Sequence, residues 1–154
     1  MVASVWAWLD DVPDPELPSI SITDLGIVRD VYEEGGEVVV ALTPTYSGCP
    51  ATAVIERDVT RALHEHGVDR VRIERRLAPA WTTDWITPRG RARLTENGIA
   101  PPDYLTLGPV VLSVVCPRCG SGRTTELSRF GSTPCKALYR CEACREPFDA
   151  VKPY

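Results

Sequence analysis

The chain has 154 residues, 44% of them hydrophobic, with 17 basic and 21 acidic side chains and a net charge of -4. That apolar fraction excludes wholesale disorder, and the net acidity argues against a whole-molecule binder of polyanions. No run approaches the roughly 18 apolar residues of a membrane span, and the opening "MVASVWAWLDDVPDPE" has neither the basic start nor the cleavage site of a signal peptide. A cytoplasmic protein is expected, with no membrane contact.

In chain order, Val2, Val5, Trp6 and Leu9 recur at helical spacing and predict a short amphipathic helix over 2–10. Three prolines in "DVPDPELPS" stop it. "SITDLG" predicts one helical turn closing at Gly26. "IVRDVYEEGGEVVVALTP" is a hairpin, Ile27 to Tyr32 and Val38 to Thr43 around a glycine turn. The next helix is expected over 50–66, with Ala51, Ile55, Val59, Ala62 and Leu63 as its apolar stripe, Pro50 at its first position and Gly67 as its C-terminal cap. "DRVRIERRL" alternates as a strand. This order predicts an α+β fold, a small mixed sheet with helices packed on it. Thr87 and Pro88 open another short helix that closes at Gly98. "GIAPPDYLTLGP" is turn-rich and reads as a linker, and "VVLSVV" as a strand entering the cysteine-rich end. Residues 1–115 hold 10 basic and 17 acidic side chains, and residues 116–154 hold 7 basic and 4 acidic. This charge division supports two domains, 1–108 and 109–154.

Four of the six cysteines form two CxxC pairs, Cys116/Cys119 and Cys141/Cys144, separated by 21 residues. Two such knuckles place four thiolates around one tetrahedral ion. The last 39 residues are too few to hold together by apolar burial alone, so the metal is structural. A four-cysteine zinc ribbon is expected. Two disulfides, or an iron–sulfur cluster on the same ligands, are the alternatives. Ribbons of this kind bind nucleic acid or protein, but the net acidity speaks against nucleic acid here.

Cys49, in "TPTYSGCPAT", precedes a helix in a place usually held by a small polar cap. At the N-cap, free N–H groups and the helix dipole would favour its thiolate, a nucleophile and soft metal ligand. The plain alternative is a cysteine filling space. Catalysis would need a base, yet His64 lies 15 residues further along the same helix, roughly 22 Å away. That shortage favours metal or cluster ligation over hydrolysis. One thiolate binds a cluster weakly, so further ligands would come from Cys135, from Asp14, Glu16 or Asp24, or from a second copy in a homodimer. The competing reading of those carboxylates is turn and cap chemistry.

"DPELPSISITDLGIVRDV" followed by "TPTYSGCPAT" resembles the domain of SufT-type iron–sulfur assembly factors. "LAPAWTTDWITPRGRARL", "GIAPP" and "FGSTPCKALYRCEACREPFD" resemble the PaaD family of phenylacetate-degradation proteins, nearly end to end. That resemblance implies a role beside the multicomponent phenylacetyl-CoA epoxidase, whose oxygenase and iron–sulfur reductase would be the partners. It implies maturation or delivery of an iron–sulfur or iron centre, with Cys49 as the functional thiol framed by Asp14, Glu16 and Asp24. It also implies Cys116, Cys119, Cys141 and Cys144 as zinc ligands, and no enzymatic activity of the chain by itself. It assigns no role to Cys135. Trp81 and Trp85, in "AWTTDW", are read either as an apolar docking patch or as core packing.

Overall fold

The computed structural model describes residues 1–102, 106, 107, 110, 111 and 114–153. The chain divides into two compact units, Met1–Gly90 and Arg91–Tyr154. The boundary expected at 108/109 lies outside the described residues, as do parts of the expected linker and of the "VVLSVV" strand.

In the first unit, α1 (Val2–Leu9) buries Val5 and Leu9, as its spacing requires. A proline-rich loop follows and is tied back by a bridge between Pro13 and Ser21. The "DLG" segment is a helical turn: the N–H of Leu25 donates to Ser21 O at 3.0 Å, and Gly26 leaves the turn at φ 74°. Strands β1 (Val28–Glu34) and β2 (Glu37–Leu42) form the expected hairpin. Helix α2 (Thr52–Glu65) buries Ile55, Val59 and Leu63 and ends at Gly67, φ 82°, whose N–H donates to His64 O at 2.9 Å. Strand β3 (Val71–Arg75) returns parallel to β2 and antiparallel β1 lies on the other side, giving a mixed three-stranded sheet in the order β1-β2-β3. Val38 to Leu42 of the central strand are buried on both faces. The alternation in β3 does not translate into one buried face. Val71 to Glu74 are all half-buried, because β3 is an edge strand.

This topology gathers three segments at one end of the sheet. Thr43 N–H donates to Ile27 O at 2.9 Å where the Cys49 loop leaves β2, and Arg76 N–H donates to Leu42 O at 2.8 Å where the chain leaves β3.

After β3 the chain turns back over the "DLG" turn. The Trp81 indole N–H donates to Leu25 O at 2.8 Å, Thr87 N–H donates to Asp24 O at 2.8 Å, and the Arg29 guanidinium sits 3.5 Å from the Trp85 ring centre. Trp81 is buried, so packing accounts for this tryptophan and the docking reading of it falls. Helix α3 (Pro88–Glu96), within which the division into units falls, opens as expected, with the Thr87 hydroxyl accepting the Gly90 N–H at 3.0 Å.

In the second unit, the expected linker begins as structure. Strand β4 (Ile99–Ala100) pairs in parallel with β9 (Pro147–Val151), while the two-residue strands β5 (Thr106–Leu107) and β6 (Val110–Val111) pair with each other. Strands β7 (Thr124–Ser128) and β8 (Lys136–Cys141) make the long hairpin between the CxxC pairs, and the sheet runs β4-β9-β8-β7. Among the described residues one core cluster joins Ala100, Val114, Cys116, Cys141, Phe148 and Ala150, and Leu94, Cys135, Ala137 and Val151 are buried as well.

Candidate metal centre and the Cys49 loop

The two CxxC knuckles share one local construction. At the first, Gly120 N–H donates to Cys116 O at 3.0 Å and Gly120 has φ 75°. At the second, Arg145 N–H donates to Cys141 O at 3.0 Å and Arg145 has φ 67°. Both turns need a left-handed residue one place after the second cysteine. Glycine supplies it freely in the first, and Arg145 bears a strain of roughly 1 kcal/mol in the second. In each pair the first cysteine is buried and the second exposed.

The four sulfurs lie within 4.8 Å of one another, with Cys116 to Cys144 at 3.8 Å and Cys119 to Cys141 at 3.5 Å. Four thiolates at about 2.3 Å from a zinc ion stand about 3.8 Å apart, so the donor set fits zinc in size and chemistry. The Cys144 N–H points at Cys141 Sγ from 3.5 Å. This hydrogen bond lowers the Cys141 thiol to about 6 against the effect of burial, with help from the Ala143 N–H. A bound ion would tie the two knuckles together at the end of the sheet.

The ribbon cysteines are the only group of three or more His, Cys, Asp or Glu ligand atoms so gathered among the described residues. Cys49 stands outside it. Its expected place as N-cap is corrected: the N-cap is Ala51, already helical at φ -69°, ψ -19°, and α2 begins at Thr52 rather than at Pro50. The physical reason is that the backbone takes the cap's role. Cys49 O accepts the Thr52 N–H at 3.2 Å, while Cys49 N–H donates to Tyr46 O at 3.2 Å, leaving the thiol out of the capping. Gly48, at φ 79°, makes the bend that leads into Cys49. The thiol is half-buried and has no hydrogen-bond partner among the described residues.

The three candidate carboxylates sit in well-defined settings. Asp14 is buried and accepts the N–H groups of Glu16 at 2.9 Å and Leu17 at 2.8 Å, which is turn chemistry. Glu16 is half-buried beside it. Asp24 is buried and accepts the Thr87 hydroxyl at 2.6 Å and Arg89 Nε at 3.0 and 2.9 Å. Arg89 also bridges to Asp10, which accepts the Thr23 hydroxyl at 2.5 Å. Burial would raise the Asp10 carboxyl, but the hydrogen bonds from Thr23 and Arg89 bring it below its ordinary value. Cys135 is buried immediately before β8, with the Thr133 hydroxyl 3.1 Å from its sulfur.

Sequence reasoning gave Thr87 as a helix cap but not as a partner of Asp24, and it missed Asp10 and Arg89, which join only through the fold. It also missed the buried Lys136, whose Nζ faces Asp149 at 3.8 Å.

Comparison with known proteins bears on each unit. Residues 3–74 match the family model "Iron-sulfur cluster assembly protein", and residues 101–152 match "PaaD zinc beta ribbon domain". Among solved structures, a domain of unknown function DUF59 from Bacillus anthracis superposes with a TM-score of 0.56 and 29% identity, covering 60% of this chain and 90% of that one. A conserved hypothetical protein from Thermotoga maritima gives 0.52 and 29%, covering 61% and 93%. The Fe-S protein maturation auxiliary factor YitW of Bacillus subtilis is 36% identical over 78 residues, 49% of this chain and 76% of that protein. A putative 1,2-phenylacetyl-CoA epoxidase subunit of Escherichia coli K12 is 51% identical over 155 residues, covering 98% of this chain and 92% of that protein. With four ribbon cysteines in ligand geometry and an assembly-type sheet carrying Cys49, the chain belongs to the PaaD family, whose Escherichia coli member bears the name of an epoxidase subunit.

Proposed function

We propose that the chain is a non-enzymatic maturation factor for the multicomponent phenylacetyl-CoA epoxidase of aerobic phenylacetate catabolism. It holds an iron–sulfur cluster or iron as cargo and hands it to the oxygenase or to the iron–sulfur reductase. Cys49 is the transient ligand. The carrying observation is a thiol in the unit matched by the iron–sulfur assembly family, at a glycine bend, that neither caps its helix nor belongs to the ribbon metal group. A site that must release its cargo is better weak than closed, and one thiolate per chain is weak. Its missing ligands would come from the client or from a second copy, which makes a homodimer part of this reading. On this reading the work is done in the cytoplasm; no helix among the described residues is long and apolar enough to cross a membrane.

The test is metal and sulfide analysis with visible spectra on anaerobically purified wild type and Cys49→Ser. About one zinc per chain in both, with iron and sulfide present only in the wild type, is the expected result. Zinc alone in both, and no cluster on reconstitution, would favour the second reading. The relative's name as an epoxidase subunit supports that alternative, a docking or structural component without metal transfer.

A further inference from the structure

The ribbon carries a surface that neither the metal site nor Cys49 uses. Between β7, the turn after it and the residues after β9 lies a groove of about 340 Å³, lined by Glu126, Arg129, Phe130, Tyr139, Lys152 and Pro153 among others. Phe130 is 69% exposed and Leu127, three positions earlier, 48%. Of these two, Phe130 lines the groove and gives it an exposed aromatic wall.

The polar groups of the groove are fixed. The Lys152 ammonium stands 4.4 Å from the Phe130 ring centre and donates to Pro134 O at 2.9 Å. Tyr139 stacks on Phe148 at 5.9 Å and donates its hydroxyl to Glu126 at 3.2 Å. The single carboxylate of the groove is thereby engaged, while Arg129 and Lys152 present two cations beside aromatic walls.

Resting on the maturation reading above, we propose that this groove docks an acidic segment of an epoxidase component, with an apolar side chain seated between Phe130 and Tyr139 and its flanking carboxylates on Arg129 and Lys152. Charge favours such a partner: two of the three charged side chains lining the groove, Arg129 and Lys152, are cations, and the third, Glu126, is engaged by the Tyr139 hydroxyl. It disfavours a nucleic acid strand. A phosphate backbone needs a track of cations, and here it would meet Glu126 in the wall, with one face of Phe130 already under an ammonium. Cargo transfer would then be divided, the ribbon holding the client and the assembly unit presenting Cys49.

The experiment immobilises the full-length zinc-loaded chain and titrates purified epoxidase oxygenase and reductase separately, at about 50 and about 300 mM salt. Wild type is expected to bind one component, more weakly at high salt. Phe130→Ala should weaken it about tenfold or more, and Arg129→Glu with Lys152→Glu should abolish both the affinity and its salt dependence. Leu77→Ser, at an exposed apolar residue of the other unit, should leave binding unchanged. Zinc content and circular dichroism report folding of each variant. Wild-type binding that the groove variants leave intact overturns this inference while the maturation reading stands. A wild type that binds neither component overturns both. Binding of a short single-stranded oligonucleotide that Phe130→Ala removes would assign the groove to nucleic acid and overturn the proposal.

Discussion

Cys141→Ser, or chelation of the metal, is expected to unfold the ribbon and leave the first unit folded. The ribbon's core cluster includes two of the candidate ligands, Cys116 and Cys141. A structural zinc contributes about 10–16 kcal/mol to the folding of a small module of this kind. Removing a buried ligand loses most of it. Differential scanning calorimetry or amide NMR of wild type and variant would read the change. The wild type should show dispersed signals from residues 114–153, and the variant should lose them while the signals of residues 1–90 persist. A ribbon that stays folded after complete zinc removal would show that apolar packing holds the sheet, and the structural role of the metal would fall.

The second large effect is expected at the turn under the returning segment. A Cβ on Gly26 would lie 2.6 Å from Trp85 Cβ and 2.7 Å from Trp85 O, and the residue has φ 74°. Neither neighbour is the free end of a flexible chain, so the backbone around Trp85 must move. Gly26→Ala should cost about 3 kcal/mol, from left-handed strain of roughly 1 kcal/mol plus overpacking. Arg89→Ala attacks the same place electrostatically. It strips Asp24, whose side chain is 2% exposed, of its cation. Breaking a fully buried pair costs about 3–5 kcal/mol, and the loss here should be smaller because Arg89 is half-exposed and the Thr87 hydroxyl still donates to Asp24. Asp24→Asn added to Arg89→Ala should recover part of that loss, because it removes the stranded charge. Urea denaturation midpoints decide it, and an Arg89→Ala protein as stable as wild type would show that Asp24 is satisfied without Arg89, by the Thr87 hydroxyl among others.

Much of this protein is written locally in its residues. The four cysteines gathered as candidate metal ligands follow from spacing alone, because a CxxC knuckle is a short-range turn. The hairpin and the helices follow from periods of 2 and 3.6, which one strand or one helix displays by itself. Gly67 and Thr87 end and begin helices by chemistry confined to a turn. The family resemblance, too, rests on contiguous motifs.

What only the tertiary structure decided lies at long range or in backbone detail. Cys49 stands beside a helix start in both readings, but whether its sulfur or its carbonyl serves the first N–H groups depends on the dihedral angles of Pro50 and Ala51, which no spacing encodes. Asp24 meets Arg89 and Asp10 meets Arg89 across 65 and 79 positions, and one sequence carries no trace of which distant charges will pair. Ile99 and Ala100 look like linker because their strand exists only as a partner for β9. Local physics sets elements and ligand spacing in the chain itself, whereas pairing and burial are properties of the assembled fold.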